Sequence, residues 1–191
     1  MSGSGKLDSD RAALVVIDVQ EGFRKAIPDF ERIARATATL IEGAEAIGIP
    51  VLVSEQYPKG LGETVPEVSE HLPADLRPME KVVFSAAEAE GFDLQGRDQV
   101  LVCGIETHVC VNQTALDLLA DGIDVQVAED AVGSRTDENK RVGLQKMERA
   151  GAEITSVETA LFELLGRAGT DEFKTVQTLI LDYAPNPEVV G

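Results

Sequence analysis

Ala12-Ala-Leu-Val-Val-Ile-Asp18 is an apolar run without polar alternation, closed by a carboxylate. A strand with one face in water alternates. One whose side chains are all apolar must be covered on both faces, as in a parallel sheet with helices above and below it. Outward from this run the pattern recurs in Pro50–Ser54, Lys81–Phe84, Gln99–Gly104, Asp124–Ala128 and Glu153–Val157. The segments between them mostly carry helical spacing. Phe30–Ile47 sets Ile33, Ala36, Thr37, Leu40, Ile41 and Ala44 three and four apart and stops at Gly48, ahead of Pro50. Val109–Leu119 predicts a second helix with Gly122 beyond its end. Asn139–Ala150, with acids just ahead of it and Gly151 at its close, Glu158–Leu165 and Glu172–Leu181 predict three more. Strands alternating with helices and joined right-handed imply an α/β fold: a single-domain, doubly wound open sheet of about six mainly parallel strands with helices on both faces, Rossmann-like in topology.

One such domain accounts for all of 1–191, with residues 1–10 as a flexible lead-in. A composition of 43% hydrophobic and 27% charged residues is that of a globular chain and excludes disorder as the whole answer. The 17 Lys and Arg stand against 34 Asp and Glu, a net charge of −17 whose field repels phosphate backbones and anionic lipid heads. No nucleic-acid or membrane partner is therefore expected. No apolar stretch approaches the roughly 18 residues of a membrane span. The start, Met1-Ser-Gly-Ser-Gly-Lys-Leu-Asp8, lacks the basic and apolar parts of a secretory signal, so a cytoplasmic location is expected. Cys103 and Cys110 are too few for a disulfide framework, and each is judged as a thiol.

Ligands of a doubly wound sheet bind at the carboxyl ends of its strands, beside the switch point. The residues to weigh there are Asp18, Ser54-Glu55-Gln56 and Gly104-Ile-Glu-Thr-His-Val-Cys110, together with Lys81, which opens its own apolar run. Burial raises the pKa of Asp18 unless a cation or donors compensate, and Lys81 is the candidate cation, although a strand-terminal Asp also serves as a helix N-cap. Cys110 falls in the first turn of a predicted helix, where free N–H groups and the dipole stabilise a thiolate nucleophile; Cys103, inside Val-Leu-Val-Cys-Gly, reads as core. His108 is two residues from Cys110 and so does not face it. With two His in the chain, no His-rich zinc site can be assembled, and no metal is expected. The Pro- and Gly-punctuated stretch Glu55–Pro78 is long enough for a functional loop.

Val-Val-Ile-Asp18-Val-Gln20-Glu-Gly-Phe23, Lys81 before Val-Val-Phe-Ser, and Gly104-Ile-Glu-Thr-His-Val-Cys110-Val stand in an order that resembles the isochorismatase-like cysteine hydrolase superfamily over nearly the whole chain. Ser54-Glu-Gln-Tyr-Pro-Lys-Gly-Leu-Gly62 and Glu172-Phe-Lys-Thr-Val-Gln177 are similar to the isochorismatase-domain-containing branch. The resemblance implies a triad: Cys110 as nucleophile, Asp18 as the group that takes and returns its proton, and Lys81 holding both in charged form. It also implies a cis Ile105–Glu106 peptide and an oxyanion hole made by the backbone N–H groups of Glu106 and Cys110. Gln20, Phe23, Gln56 and Tyr57 are the expected substrate lining.

Departures from the family pattern narrow the chemistry. Nicotinamidase-like members carry an Asp and several His after the second strand, where this chain reads Ser54-Glu55-Gln56-Tyr57, which disfavours a metal-dependent reaction. Members that cleave the vinyl ether of isochorismate lack the cysteine. What remains is hydrolysis of a C–N bond in a small amide, ureide or related metabolite, without a cofactor, by a chain whose relatives are commonly homo-oligomers, dimers or tetramers. Three alternatives stand beside it: a catalytically silent binding protein on the same fold, an isochorismate-type vinyl-ether hydrolase, and a redox thiol protein pairing Cys110 with Cys103.

Overall fold

The computed structural model describes residues 5–183. Its strands are β1 (Ala12–Ile17), β2 (Val51–Gln56), β3 (Met79–Lys81), β4 (Gln99–Ile105), β5 (Asp124–Gly133) and β6 (Glu153–Thr155). They form one sheet in the order β3-β2-β1-β4-β5-β6, every neighbouring pair parallel. The order reverses between β1 and β4, and that switch point is where a doubly wound sheet opens a crevice.

Burial of the all-apolar strands follows the period of two. Leu14 and Val16 of β1, with Leu101, Cys103 and Ile105 of β4, pack under α1 (Phe30–Ile47), α6 (Val157–Leu165) and α7 (Asp171–Tyr183). Ala13, Val15 and Ile17, with Val100 and Val102, pack under α4 (Asn112–Ala120) and α5 (Asp137–Ala150) on the other face. Alternate side chains of one strand thus feed two cores. The final helix packs on α1 and α6 of the same chain, with Val176 and Ile180 buried in the first core.

Three local readings are corrected. The run expected as a strand over Lys81–Phe84 is a strand that ends at Lys81. Beyond it the chain bends away, leaving Val82 76% and Phe84 51% exposed. The cause is Lys81 itself, whose ammonium donates to the carbonyls of Val83 and Phe84 and curls the following residues over its own head. The stretch Glu55–Pro78 is partly structured: β2 runs on to Gln56, and α2 (Pro58–Leu61) and α3 (Pro66–Ser69) are short helical turns opened by proline. Residues 5–10 are tied to the base of the sheet, with Leu7 3% exposed and its N–H donating to Glu163, whereas residues 1–4 lie outside the described ones.

Two glycines let backbones meet beside the switch point. Gly104 has φ +116°, and a Cβ there would lie 2.0 Å from the carbonyl oxygen of Ile17, so only glycine allows β4 to pass β1 at this height. Gly143 of α5 packs against the turn that follows β4; its Cβ would lie 2.8 Å from the Thr107 carbonyl oxygen.

Candidate active site

β1 and β4 end side by side, and the two chains that leave them build the site. After Ile17 the backbone turns at once: Asp18 has φ +52°, a left-handed conformation that Asp tolerates better than most residues, and its carbonyl accepts the N–H of Gln20 at 2.9 Å. The turn leaves the Asp18 side chain fully buried. Its Oδ1 accepts from Ser54 Oγ at 2.8 Å and its Oδ2 from Lys81 Nζ at 2.7 Å.

Lys81 reaches this carboxylate because β3 ends on it. In the β2–β3 ladder Gln56 is the register partner of Lys81, and Gln56 Oε1 accepts from Nζ at 2.7 Å. The Phe84 carbonyl accepts at 3.0 Å and that of Val83 at 3.4 Å. An ammonium has three N–H bonds. Asp18, Gln56 and the Val83–Phe84 carbonyls use all of them, and the head is wholly enclosed.

Cys110 comes from the other side. The peptide Ile105–Glu106 is cis, as the family resemblance implies, and the chain then enters a single π-helical turn, Thr107–Val111, before α4. Such turns are rare and often found at functional sites. The Cys110 carbonyl accepts from Thr114 Oγ1 at 2.8 Å, and the same hydroxyl accepts the Ala86 N–H at 2.8 Å, which ties the turn to the segment after Phe84.

Cys110 is 4% exposed, and its thiol is acted on by both the Asp18 carboxyl and the Lys81 ammonium. Burial, and then the charge of Asp18, push this thiol up to about 12, with Lys81 pulling the other way. The shift runs opposite to the lowering expected from a helix start: the sulfur is enclosed beside a carboxylate, and Cys110 is the fourth of the five residues of the π turn, away from its N-terminal N–H groups. The Asp18 carboxyl is itself held above the ordinary carboxylate range by burial, opposed by Lys81, Ser54 and Cys110.

The remaining expected residues divide. Glu106 sits at the edge of the site with its carboxylate turned away to Arg135, accepting from the backbone N at 3.0 Å and from Nε at 3.1 Å. Gln20 is fully buried, and its amide is spent on backbone: Oε1 accepts the Gln56 N–H at 2.7 Å, while Nε2 donates to the carbonyls of Gln56 and Gly62 at 3.1 and 2.6 Å. Phe23 is half-buried and packs on the α1 side of the sheet, opposite Cys110. Tyr57 is 54% exposed and borders a cavity of about 280 Å³ together with Pro58, Lys59, Glu80, Lys81 and Val82. His108 pairs with Ser134 at 3.0 Å instead of with the thiol.

Cys103 is fully buried in the α1-side core while Cys110 lies in the α4-side core, so the sheet stands between the two sulfurs. The redox-pair reading falls on that geometry. Sequence reasoning missed Ser54 as a donor to Asp18, Thr114 as the tie on the Cys110 turn, and Gly143 as the space beneath it. All three depend on strand register or helix packing, which local patterns do not encode.

A parallel α/β sheet with an Asp, a Lys and a Cys converging at its switch point defines the class of an isochorismatase-like hydrolase fold. The isochorismatase domain matches residues 12–159, and the chain belongs to that family. It is 37% identical to human isochorismatase domain-containing protein 2 over 190 residues, 98% of this chain and 91% of that one. Among solved structures it resembles the one titled MAR1 ribonuclease from Caenorhabditis elegans (38% identity, 97% of each chain, TM-score 0.87). It also resembles the Escherichia coli YcaC product, titled an octameric hydrolase of unknown specificity (25% identity, 97% of this chain and 94% of that one, TM-score 0.87). Among the described residues no helix is long and apolar enough to cross a membrane, and no three His, Cys, Asp or Glu are grouped to hold a metal ion.

Proposed function

We propose that this protein is a cysteine-dependent hydrolase of a C–N bond in a small amide, ureide or related metabolite, with Cys110 as nucleophile. The observation that carries the reading is the enclosed cluster in which Lys81 binds Asp18 at 2.7 Å and both act on the Cys110 thiol. A neutral thiol beside a carboxylate is poised for concerted attack. The sulfur bonds to the carbonyl carbon as its proton passes to Asp18. The C–N bond then breaks as Asp18 returns that proton to the leaving nitrogen. Water, deprotonated by Asp18, attacks the thioester, and the S–C bond breaks as Asp18 passes that proton to the sulfur, giving the acid and the free thiol.

Lys81, saturated with protein acceptors, offers no N–H to a substrate. Its part is to favour the ionised forms of its two acidic neighbours. The oxyanion of each tetrahedral intermediate is assigned to the backbone N–H groups of Glu106 and Cys110. Of the expected lining, Tyr57 suits a substrate wall, since it is exposed and borders the cavity it shares with Glu80 and Val82 at the end of β3.

The ribonuclease titles of three structural neighbours, unqualified in only one of them, point instead to phosphodiester chemistry. Against this stand a net charge of −17 and a cluster whose only cation is fully engaged by the protein. The octameric neighbour and the exposed Tyr57, Val82 and Phe84 around the site support a homo-oligomer, which light scattering measures directly.

The enzymatic reading is tested by incubating wild type and Cys110→Ala with a panel of small primary amides and ureides, following amine release and the mass of the Cys110 peptide. Turnover by wild type alone, with an acyl adduct on Cys110, is the expected result. Equal turnover by Cys110→Ala rejects the mechanism, and no turnover by either, with ligands still binding, favours the silent binding protein.

A further inference from the structure

Gln56 was expected to line the substrate pocket, but none of its hydrogen bonds faces outward. Its Oε1 accepts from Lys81 Nζ at 2.7 Å and its Nε2 donates to the Val82 carbonyl at 3.1 Å. Its backbone N–H and carbonyl are both taken by the Gln20 side chain, at 2.7 and 3.1 Å, and the residue is 8% exposed. The orientation of its amide is thereby set from both ends: the nitrogen must face a carbonyl and the oxygen an ammonium. Gln20 clamps the backbone of Gln56 from the turn that also carries Asp18, so one loop orients both groups that approach Lys81.

We propose that Gln56 is a positioning residue for Lys81, and that its neutrality is the property the site uses. It supplies an acceptor that fixes the ammonium without adding a second negative charge. Lys81 then delivers its single positive charge undivided to Asp18 and Cys110. A carboxylate at position 56 would satisfy the same N–H but share the cation, and two anions on one ammonium disfavour ionisation of the groups beside it. Gln20 is the brace behind this arrangement, since its amide touches only backbone. The inference rests on the proposed roles of Asp18, Lys81 and Cys110.

The experiment reads the thiol directly and needs no substrate. Alkylation of Cys110 by iodoacetamide, located by mass spectrometry, is followed against pH for wild type, Gln56→Glu and Gln56→Met. Gln56→Glu is expected to move the profile about one pH unit upward, making alkylation about tenfold slower at any pH below the midpoint. Gln56→Met, which removes the acceptor without adding charge, is expected to move it the same way by less. Profiles of both variants that superimpose on wild type overturn the proposal and return Gln56 to the pocket wall. If Gln56→Glu does not fold, as judged by circular dichroism, Gln56→Met alone decides. Failure here with Cys110-dependent turnover intact removes only Gln56, whereas an active Cys110→Ala enzyme removes the mechanism on which it rests.

Discussion

Lys81→Met removes a buried charge while keeping the aliphatic stem, and the structure specifies how its cost depends on pH. Lys81 and Asp18 meet at 2.7 Å with neither side chain exposed. Breaking a buried pair from one side typically costs about 3–5 kcal/mol, because the surviving charge has no partner. Asp18 can escape that cost by keeping its proton. Its pKa is already raised by burial, with Lys81 the first of the groups opposing the rise, so loss of Lys81 raises it further.

A carboxyl whose folded pKa lies above its unfolded one binds more protons in the folded state. Stability then falls as pH climbs, by up to about 1.36 kcal/mol per unit, until the group ionises in the fold. Between pH 5 and pH 7 the gap between wild type and variant should therefore widen, by at most about 2.7 kcal/mol. Urea unfolding followed by circular dichroism at matched ionic strength, from pH 5 to pH 8, measures it. The double variant Asp18→Asn/Lys81→Met should recover most of the loss and show no widening. A gap that stays constant over this range would mean that Asp18 and Lys81 are not the enclosed pair described here.

Two further substitutions probe the turn that holds the nucleophile. Gly143→Ala brings a Cβ to 2.8 Å from the Thr107 carbonyl oxygen and 2.9 Å from the His108 Cα, so α5 and the π turn must move apart by a few tenths of an ångström. Cys110 alkylation should change several-fold while the melting temperature falls by only a few degrees; an unchanged alkylation rate in a folded variant contradicts the contact. Thr114→Val keeps the shape but takes away the partner of both the Ala86 N–H and the Cys110 carbonyl. A destabilisation of about 1–3 kcal/mol is expected from these buried groups left unpaired, and chemical denaturation reads it against wild type.

Much of the fold was legible in the chain because its signals are local. Ala12–Ile17 is apolar at every position since both faces are covered, and Phe30–Ile47 shows its helical period and its Gly48 stop in a single window. Third-strand residues misled for the same reason. Val82-Val83-Phe84 has strand composition, but the contact that bends it away is made by the ammonium of Lys81, and no local pattern records where that head will go.

The candidate site divides along the same line. By itself the sequence determined the layered α/β architecture, the family, and which carboxylate, amine and thiol stand near strand ends, since motif order and hydrophobic period are properties of the chain alone. Only the tertiary structure decided that Lys81 ends a strand beside Gln56, that Gln20 turns inward onto the Gln56 backbone, and that burial and the Asp18 charge push the Cys110 thiol upward. Those outcomes come from register between strands distant in sequence and from the dielectric of a closed site, and both exist only once the sheet has assembled.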